Sequence, residues 1–310
     1  MSQGKVLIAA PIHPVLAEGL TAAGYQLLPA EQVTQATAPA LLAGCVGVIT
    51  STRLQLDRAL LDAAPLLRWI GRMGSGMEVV DVAYAAERGI QCYSSPDGNA
   101  NAVAEHALGM LLALNKRIVV SSNEVKAGKW LREDNRGTEL EGKTVGIIGF
   151  GHTGRAFAKK MLGFDVQILV YDKYKQDNMP GYVTHSTLAQ IQREADIISF
   201  HVPLQEDTVH YFDEKFISGM HKGFVLVNTS RGIVADVNAI RNGLEAGKIT
   251  GACLDVWEEE PLERMSGPKR AILEDIMKRD NVIVTPHIAG YSREALYKMS
   301  EVLLKKIVSI

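Results

Sequence analysis

The strongest chemical signal in the sequence is a glycine pattern near its middle. Gly149, Gly151 and Gly154 form G-x-G-x-x-G, with His152 and Thr153 inside it. An apolar segment, 144–148, leads into the pattern, and a helical segment, 155–162, follows it. In such a turn the first glycine allows a tight bend, the second lets backbone N–H groups approach a pyrophosphate, and the third lets helix and strand pack closely. The pattern predicts a dinucleotide whose phosphates lie at the positive end of the helix dipole.

An acidic residue downstream strengthens this interpretation. Asp172 ends a second apolar segment and lies 18 residues beyond Gly154, where the ribose-binding acid of a dinucleotide fold is expected. A carboxylate accepts hydrogen bonds from a ribose 2′-OH and repels a 2′-phosphate, so NAD(H) is favoured over NADP(H). Lys173 and Lys175 weaken that preference, because either could partly offset a phosphate charge. The alternative, a glycine-rich turn without a ligand, is less favoured because strand, helix and acid are all in place.

Three polar residues in the second half could transfer a proton and bind a carboxylate. Arg231, Glu260 and His287 each follow a predicted strand at its carboxyl end, the edge where open α/β sheets bind ligands. Reduction of a ketone by hydride needs a proton donor, and histidine suits this role because its unperturbed pKa lies near neutrality. A neighbouring carboxylate, assigned here to Glu260, would favour the imidazolium and hold the ring. The planar guanidinium of Arg231 would bind a substrate carboxylate through two parallel hydrogen bonds.

Each of the three also has a plain structural interpretation. Arg231 could be a solvated loop residue, and His287 a satisfied strand-end histidine. Glu258 and Glu259 are as acidic as Glu260. The dinucleotide pattern is what makes the catalytic interpretation the stronger one.

A second glycine cluster spans 71–76. It contains Arg72, Gly74, Ser75 and Gly76 but has the spacing G-x-x-G-x-G, and no strand ending in an acid follows at the right distance. Taken alone, it fits a plain turn and a backbone loop facing a small anionic substrate equally well.

Composition excludes several classes of protein. The 310 residues carry 33 Lys and Arg against 35 Asp and Glu, a net charge of −2. This balance lacks the cationic surface of a nucleic-acid or anionic-membrane binder, so a small-molecule partner is expected. The first apolar run is too short for a signal peptide. The longest apolar run, 107–114, is too short for a membrane span.

The three cysteines also bear on location and on metal binding. Cys45, Cys92 and Cys253 are far apart and have no C-x-x-C spacing, so we expect buried thiols, no metal site and a reducing, cytoplasmic location.

The order of apolar segments predicts an α/β protein with two doubly wound parallel sheets. Short apolar strands alternate with helices over 5–93, and a second alternating series begins at 144. Between them we expect a turn and hinge over 96–101 and one long helix over 102–126. A last helical pattern, 293–307, has no strand after it. We expect it to return to the first domain, which would then be discontinuous.

Over essentially its whole length the sequence resembles the D-isomer-specific 2-hydroxyacid dehydrogenase family. The matching segments are 71–81, 99–109, 139–154, 201–204, 227–236, 251–262 and 285–290. The resemblance implies a flavodoxin-like substrate domain of residues 1–99 and 288–310 and a Rossmann NAD-binding domain of residues 100–287. It also implies two crossover helices and an active site in the cleft between the domains.

The resemblance assigns roles residue by residue. It makes Arg231, Glu260 and His287 catalytic and Gly74, Ser75 and Gly76 the substrate-carboxylate loop. Family positions for cofactor contacts fall on Val103, Thr229 and Asp255. A homodimer through the NAD-binding domain is implied as well. One departure, Glu78 where aspartate is common, lies beyond the loop and changes little.

For the substrate, the segments around Arg72, Trp130 and Arg231 look most like those of 3-phosphoglycerate dehydrogenases. Arg53, Arg72 and Arg132 are then candidates to surround a phosphate, although solvated surface arginines are an equal alternative. Glyoxylate or hydroxypyruvate reduction is the second possibility. Because the sequence ends at Ile310, we expect no serine feedback through a C-terminal regulatory domain.

Two other classes of function have to be compared with a dehydrogenase. An NADH-sensing corepressor keeps the same fold and the same three polar residues, so only the absence of turnover on 2-keto acids would favour it. A serine hydrolase is disfavoured because the sequence lacks a G-x-S-x-G motif.

Overall fold

The computed structural model describes residues 3–174, 179–265 and 267–309. They form two compact units, Met1–Ala100 with Gly290–Ile310, and Asn101–Ala289. Each unit contains one parallel β-sheet with helices between its strands. The expected α/β fold with two parallel sheets is therefore confirmed. Lys175, named above for cofactor preference, lies outside the described residues.

The first unit is built on a five-stranded sheet. Its strands are β1 (Gly4–Ile8), β2 (Tyr25–Pro29), β3 (Cys45–Thr50), β4 (Trp69–Arg72) and β5 (Gln91–Ser94). They pair in parallel in the order β2-β1-β3-β4-β5. The helices between them are α1 (Pro14–Ala22), α2 (Ala38–Leu42), α3 (Arg58–Asp62) and α4 (Val82–Glu87). All residues of β3 and β4 are buried, as expected for strands covered on both faces.

The stretch after β5 differs from the sequence-based expectation. Helix α5 (Pro96–Asn115) begins inside the segment expected to be a turn, and the single expected helix is divided into α5 and α6 (Ile118–Lys126). Proline is tolerated in the first helical turn because its missing N–H has no partner there. Gly98 is needed at its position because a Cβ there would lie 2.5 Å from the backbone nitrogen of Met299. The division falls at Arg117, which has a left-handed φ of 52°.

The second unit carries a seven-stranded sheet. Its strands are β6 (Thr144–Ile148), β7 (Gln167–Tyr171), β8 (Thr184–His185), β9 (Ile197–Phe200), β10 (Phe224–Asn228), β11 (Ile249–Leu254) and β12 (Val282–Val284). The helices are α7 (His152–Met161), α8 (Leu188–Glu194), α9 (Glu214–Gly219), α10 (Val237–Glu245) and α11 (Gly267–Met277). All strands are parallel, in the order β12-β11-β10-β9-β6-β7-β8. Only the edge strand β8 was not anticipated.

Strand order identifies where each sheet can bind a ligand. In the second unit, the chain runs from β6 through β7 to β8 on one side and then crosses back to β9 on the other side of β6, so the strand order reverses between β6 and β9. Open α/β sheets bind ligands beyond the carboxyl ends of the strands at such a switch point. The glycine pattern follows β6, and Asp172 follows β7 directly.

The last helix, α12 (Arg293–Val308), packs on the first unit. Its residues Leu303 and Ile307 are buried in one cluster with Val6, Leu16 and Trp69. The Ser300 hydroxyl, also buried, accepts a hydrogen bond of 3.0 Å from the His13 backbone N–H at the start of α1. Among the described residues, no helix is long and apolar enough to cross a membrane.

Candidate active site

His287 and Glu260 form the shortest polar contact between predicted catalytic side chains. His287 Nδ1 lies 2.6 Å from Glu260 Oε2, and the other oxygen, Oε1, accepts a 2.8 Å bond from the Trp257 N–H. The Glu260 carboxylate is therefore fixed at both oxygens. The side chains of His287 and Glu260 are 43% and 32% exposed, so water can reach the pair. The choice of Glu260 over its acidic neighbours agrees with this geometry.

Glu258 and Glu259 have different partners from Glu260. The Glu258 side chain is 8% exposed, accepts a 3.0 Å bond from the Val237 N–H at the start of α10, and lies 3.0 Å from Lys269 Nζ. Lys269 also lies 3.0 Å from Glu259. Hydrogen bonds to Glu259 and Glu258 raise the pKa of Lys269, and the bond to Glu259 has the larger effect. These two carboxylates thus tie the loop to α10 and α11.

The backbone of His287 is left-handed, with φ of 55°. For a residue other than glycine this conformation costs about 1–2 kcal/mol, so neighbouring bonds must hold it. The carboxylate of Asp255, which is fully buried, supplies them: Oδ1 accepts 2.9 Å from the Ile288 N–H and Oδ2 accepts 2.9 Å from the Ala289 N–H. The Asp255 carbonyl accepts a further 2.8 Å bond from the His287 N–H.

The loop of Arg231 is organised by Asn228, the last residue of β10. The buried Asn228 side chain accepts from the N–H (3.1 Å) and hydroxyl (2.8 Å) of Ser230 and donates to the Arg231 carbonyl (3.1 Å). Arg231 Nη1 donates to the Ser230 carbonyl at 2.7 Å. These bonds close a tight turn around the half-buried Arg231.

Gly232 brings the Arg231 loop against the Glu260 loop. A Cβ on Gly232 would lie 1.8 Å from the carbonyl carbon of Trp257 and 2.5 Å from the nitrogen of Glu258. The two backbones are therefore in direct contact, and only glycine allows it. Arg231 directly precedes Gly232 in the sequence. The backbone contact of Gly232 therefore brings the Arg231 loop beside the Trp257–Glu260 segment.

The dinucleotide pattern has the geometry predicted for its three glycines. Gly149 has φ of 91°, and a Cβ there would lie 2.6 Å from the His201 carbonyl oxygen. A Cβ on Gly154 would lie 2.2 Å from the Gly149 carbonyl oxygen. Around Gly151, in contrast, a Cβ would meet none of the described atoms within 4 Å. Gly149 and Gly154 are needed for packing, whereas Gly151 leaves open space beside the backbone.

The N-terminus of α7 is suited to an anion. Its N-cap is Gly151, which offers no side chain to cap the helix, and His152 and Thr153 form its first turn. Such an end presents backbone N–H groups and the positive end of the dipole. A second feature points to an absent polar partner: Thr229 Oγ1 is buried and makes no hydrogen bond with any described residue. The residues present fit an NAD-type cofactor.

Asp172 lies beside the glycine loop. One carboxylate oxygen accepts 2.6 Å from the Phe150 N–H, inside the G-x-G pattern, and the other accepts 2.9 Å from the Tyr174 N–H. Lys173 Nζ pairs with Asp207 Oδ2 at 2.5 Å, and the hydrogen bond that Lys173 donates to this carboxylate raises the pKa of Lys173. This ion pair reduces the charge that Lys173 could offer to a 2′-phosphate.

Val103 and Asp255, the remaining predicted cofactor contacts, are both buried in the second unit. Val103 lies on α5, and Asp255 directly follows β11. Both carboxylate oxygens of Asp255 already bind the chain segment that follows His287.

The glycine cluster of the first unit is held by a buried serine. Gly74 has φ of 144°; its N–H donates to Ser95 Oγ at 3.0 Å, and its carbonyl accepts 2.8 Å from the Ser95 N–H. Arg72 is only 9% exposed, and a Cβ on Gly74 would lie 1.5 Å from Arg72 Nη1. The guanidinium therefore lies directly against the loop that continues through the half-buried Ser75 and Gly76.

The other two predicted phosphate ligands are exposed side chains. Arg53 follows β3 in the first unit, and Arg132 follows α6 in the second. The grouping of Arg53, Arg72 and Arg132 around one phosphate stays a prediction.

Sequence reasoning did not anticipate several residues that support the site. His201 packs under the glycine loop; its ring lies 2.8 Å from Ser199 Oγ and 5.2 Å from the Phe157 ring centroid. No role was predicted for Asn228 and Gly232, which lie in the matching segment 227–236, or for His106 and Thr285, which lie in 99–109 and 285–290. Only their position in the sequence could have indicated a role, because each lies in a matching segment or at the end of a strand.

Among the described ranges, no group of three or more His, Cys, Asp and Glu side chains could hold a metal ion. A carboxylate–imidazole pair, a guanidinium and a helix N-terminus are the chemical groups that the second unit offers.

Replacing Gly232 with alanine tests the contact between the two loops. We expect Gly232→Ala to lower the free energy of unfolding by about 1–3 kcal/mol, because the new Cβ overlaps backbone atoms that must move. Gly163→Ala is the matched control, since its Cβ would meet no described atom within 4 Å. Urea unfolding of both variants measures the difference, and equal midpoints would contradict the described contact.

The buried His201 predicts a component of acid sensitivity. Burial lowers the pKa of His201 from 6.5 to about 3. Between these values the unfolded chain binds a proton that the folded chain does not, so stability falls as pH drops below about 6.5, by at most about 1.4 kcal/mol per pH unit.

Stability measurements on a variant isolate this component. His201→Asn should flatten the dependence of unfolding free energy on pH between 6.5 and 4.5, whereas His185→Asn, at an exposed histidine, should not. Identical slopes for wild type and His201→Asn would show that His201 is not buried in its neutral form.

Comparison with known proteins identifies relatives of the whole chain. Residues 108–289 match the model of the D-isomer specific 2-hydroxyacid dehydrogenase NAD binding domain. Hydroxypyruvate reductase of Thermotoga maritima is 37% identical over 261 residues, 84% of this chain and 82% of that protein. D-3-phosphoglycerate dehydrogenase of Archaeoglobus fulgidus is 30% identical over 99% of this chain, which spans 57% of that longer protein.

A solved structure agrees with these matches. D-lactate dehydrogenase of Aquifex aeolicus, crystallised with NAD and lactic acid, superposes with a TM-score of 0.84 at 28% identity, covering 98% of this chain and 94% of that one. The family model spans more than half of the chain, and the fold and the glycine loop agree with it. The protein belongs to the family of NAD-dependent D-isomer-specific 2-hydroxyacid dehydrogenases.

Proposed function

We propose that this enzyme reduces hydroxypyruvate, or a similarly small 2-keto acid, to the D-2-hydroxy acid with NADH, and that His287 is its proton donor. The observation that carries the proposal is the 2.6 Å contact between His287 Nδ1 and Glu260 Oε2. It leaves the other ring nitrogen, Nε2, as the one that exchanges a proton with substrate.

The proton is delivered as follows. A carboxylate is an acceptor only, so the Nδ1–H of His287 donates to Glu260 and the imidazolium carries its second proton on Nε2. When bound, NADH would provide the hydride for the carbonyl carbon of the substrate. His287 Nε2 donates its proton to the carbonyl oxygen, giving the hydroxyl group, and becomes neutral. In the reverse direction neutral Nε2 accepts the hydroxyl proton.

Arg231 is proposed to bind the substrate carboxylate. A guanidinium and a carboxylate form two parallel hydrogen bonds, which orient the substrate and draw electron density from the adjacent carbonyl. The bonds of Asn228 within the 228–231 turn, described above, support this role because they fix the backbone from which Arg231 extends.

The cofactor is proposed to bind along the second unit. Gly151, His152 and Thr153 would hold its pyrophosphate at the N-terminus of α7, and Asp172 would accept hydrogen bonds from the adenosine ribose. The buried hydroxyl of Thr229 would gain its missing partner from the cofactor. NADH is favoured over NADPH because Asp172 is anionic and Lys173 is paired with Asp207.

The choice of a small, unphosphorylated substrate rests on the first unit. The guanidinium of Arg72 is buried against Gly74, where it makes the Gly74–Gly76 loop favourable for one carboxylate. Hydroxypyruvate needs no further cation. The named activity of the Thermotoga maritima relative agrees with this choice.

A phosphorylated substrate, 3-phosphohydroxypyruvate, is the second candidate. Arg53 favours it, because this exposed cation follows β3, the strand that pairs with the Arg72 strand β4. The match to D-3-phosphoglycerate dehydrogenase over 99% of the chain also favours it.

Assembly as a homodimer through the NAD-binding unit is part of the proposal. Ile118 and Val125, seven residues apart on one face of α6, are each 53% exposed, and Trp130 just beyond is 77% exposed. Clustered apolar side chains of this kind mark contact surfaces between proteins. Sedimentation equilibrium measures the assembly directly.

The cysteines favour a reducing compartment, and we infer the cytoplasm. Cys45, Cys92 and Cys253 are all free. Burial raises the pKa of each of the three thiols, which makes them poor nucleophiles.

Replacing His287 tests the proton donor. His287→Ala should lower kcat by about 10² to 10⁴, the contribution of a positioned general acid, while the Kd for NADH stays near that of the wild type. Stopped-flow turnover and fluorescence titration measure the two quantities. His185→Ala is the control, and near-normal turnover by His287→Ala would remove His287 from the mechanism.

A substrate panel tests the choice of keto acid. With NADH, we expect kcat/KM for hydroxypyruvate to exceed that for 3-phosphohydroxypyruvate, glyoxylate and pyruvate, and to exceed the value with NADPH. Arg53→Ala should leave the hydroxypyruvate reaction unchanged.

The same panel distinguishes the alternatives. If Arg53→Ala lowers kcat/KM for the phosphorylated substrate at least about tenfold while Arg68→Ala, at the other end of β4, does not, the phosphate candidate is correct. NADH binding without turnover on any keto acid would indicate a corepressor.

A further inference from the structure

A chain of hydrogen bonds links α5 to the buried carboxylate beside His287. His106 Nε2 on α5 lies 3.0 Å from Thr285 Oγ1, and this hydroxyl lies 2.5 Å from Asp255 Oδ1. Neither His106 nor Thr285 has a role in the proposed transfer of hydride or proton. All three residues belong to the second unit.

The direction of donation along this chain follows from the number of hydrogens. Asp255 already accepts N–H bonds at both oxygens, and the Thr285 hydroxyl donates its single hydrogen to Oδ1. The Thr285 oxygen can then only accept from His106. His106 must therefore carry a hydrogen on Nε2.

Asp255 is the residue through which this chain reaches the site. Its carboxylate binds the N–H groups of Ile288 and Ala289, immediately after the left-handed His287. The terminal torsion of an aspartate side chain has a broad energy minimum, so two N–H bonds leave it some freedom. The third bond, from Thr285, restricts that freedom.

We propose that Thr285 and His106 are positioning residues that fix the Asp255 carboxylate and, through it, the orientation of the His287 imidazole toward Glu260. The inference rests on the proposed function of His287 as proton donor. It adds two residues that act on His287 only through Asp255, whose carboxylate binds the segment that follows His287.

Variants of Thr285 separate the hydroxyl from the shape of the side chain. Thr285→Val should lower kcat about 10-fold to 100-fold, because a small misplacement of a catalytic group has effects of this size. KM for the keto acid and Kd for NADH should change little. Thr285→Ser keeps the hydroxyl and should restore kcat. Thr250→Val, at an exposed threonine on β11, is the matched control and should behave as wild type.

The ring nitrogens of His106 give a test that does not depend on turnover. In protein labelled with ¹⁵N-histidine, long-range ¹H–¹⁵N spectra at pH 8 should show His106 as the Nε2–H tautomer, with His106→Gln providing the assignment. Thr285→Val should perturb the His106 signal, whereas Thr250→Val should not.

Several results would overturn the inference. They are wild-type kcat in Thr285→Val, an equal loss of kcat in Thr285→Ser, a loss confined to KM or NADH affinity, or an Nδ1–H tautomer for His106. A decrease in kcat that only follows the folded fraction, measured by thermal unfolding, would also overturn it. Absence of turnover in the wild type would refute the proposed function instead, and the tautomer would still decide whether the chain of hydrogen bonds exists.

Discussion

A buried carboxylate surrounded by donors determines the local structure of the proposed active site. Asp255 has no access to water, and a charged group in such a place is stable only when hydrogen bonds replace its hydration. The available donors are two N–H groups after His287 and the Thr285 hydroxyl. Satisfying Asp255 therefore requires the chain to turn at His287, even though its φ of 55° is unfavourable for histidine. The buried carboxylate obtains its hydrogen bonds because the chain bends at His287, the proposed proton donor.

The parallel sheet explains why residues distant in sequence meet. The strands β6, β9, β10 and β11 are adjacent in one sheet, so the loops after them leave from the same edge; these loops begin at Gly149, His201, Thr229 and Asp255. Hydrogen bonds along that edge connect neighbouring strands, from His201 N–H to the Ile148 carbonyl and from Asp255 N–H to the Asn228 carbonyl. The proposed cofactor binding and the proposed proton transfer thus depend on the same set of strand ends.

The sequence allowed the fold to be predicted, for physical reasons, whereas the roles of Arg231, Glu260 and His287 stay predictions. Buried parallel strands are almost wholly apolar, so runs of apolar residues predict them. The glycine pattern has a steric cause, so the spacing of the glycines predicts the turn. The division between α5 and α6 was missed because nothing in the residue types marks Arg117 as left-handed. Gly98 looked like part of a turn because the contact that requires glycine, with Met299, is 201 residues away in the sequence. His106 and Thr285 were overlooked for the same reason: their significance lies in contacts that only the folded chain creates.

The contact of Gly232 with Trp257 and Glu258 has a consequence for protein engineering. Designers who wish to alter selectivity often randomise one loop and leave the others untouched. Here two backbone segments touch without an intervening side chain, so inserting residues into one segment displaces the other. Libraries at this edge of the sheet should vary both segments together, and grafts from homologous enzymes should transfer them as a pair.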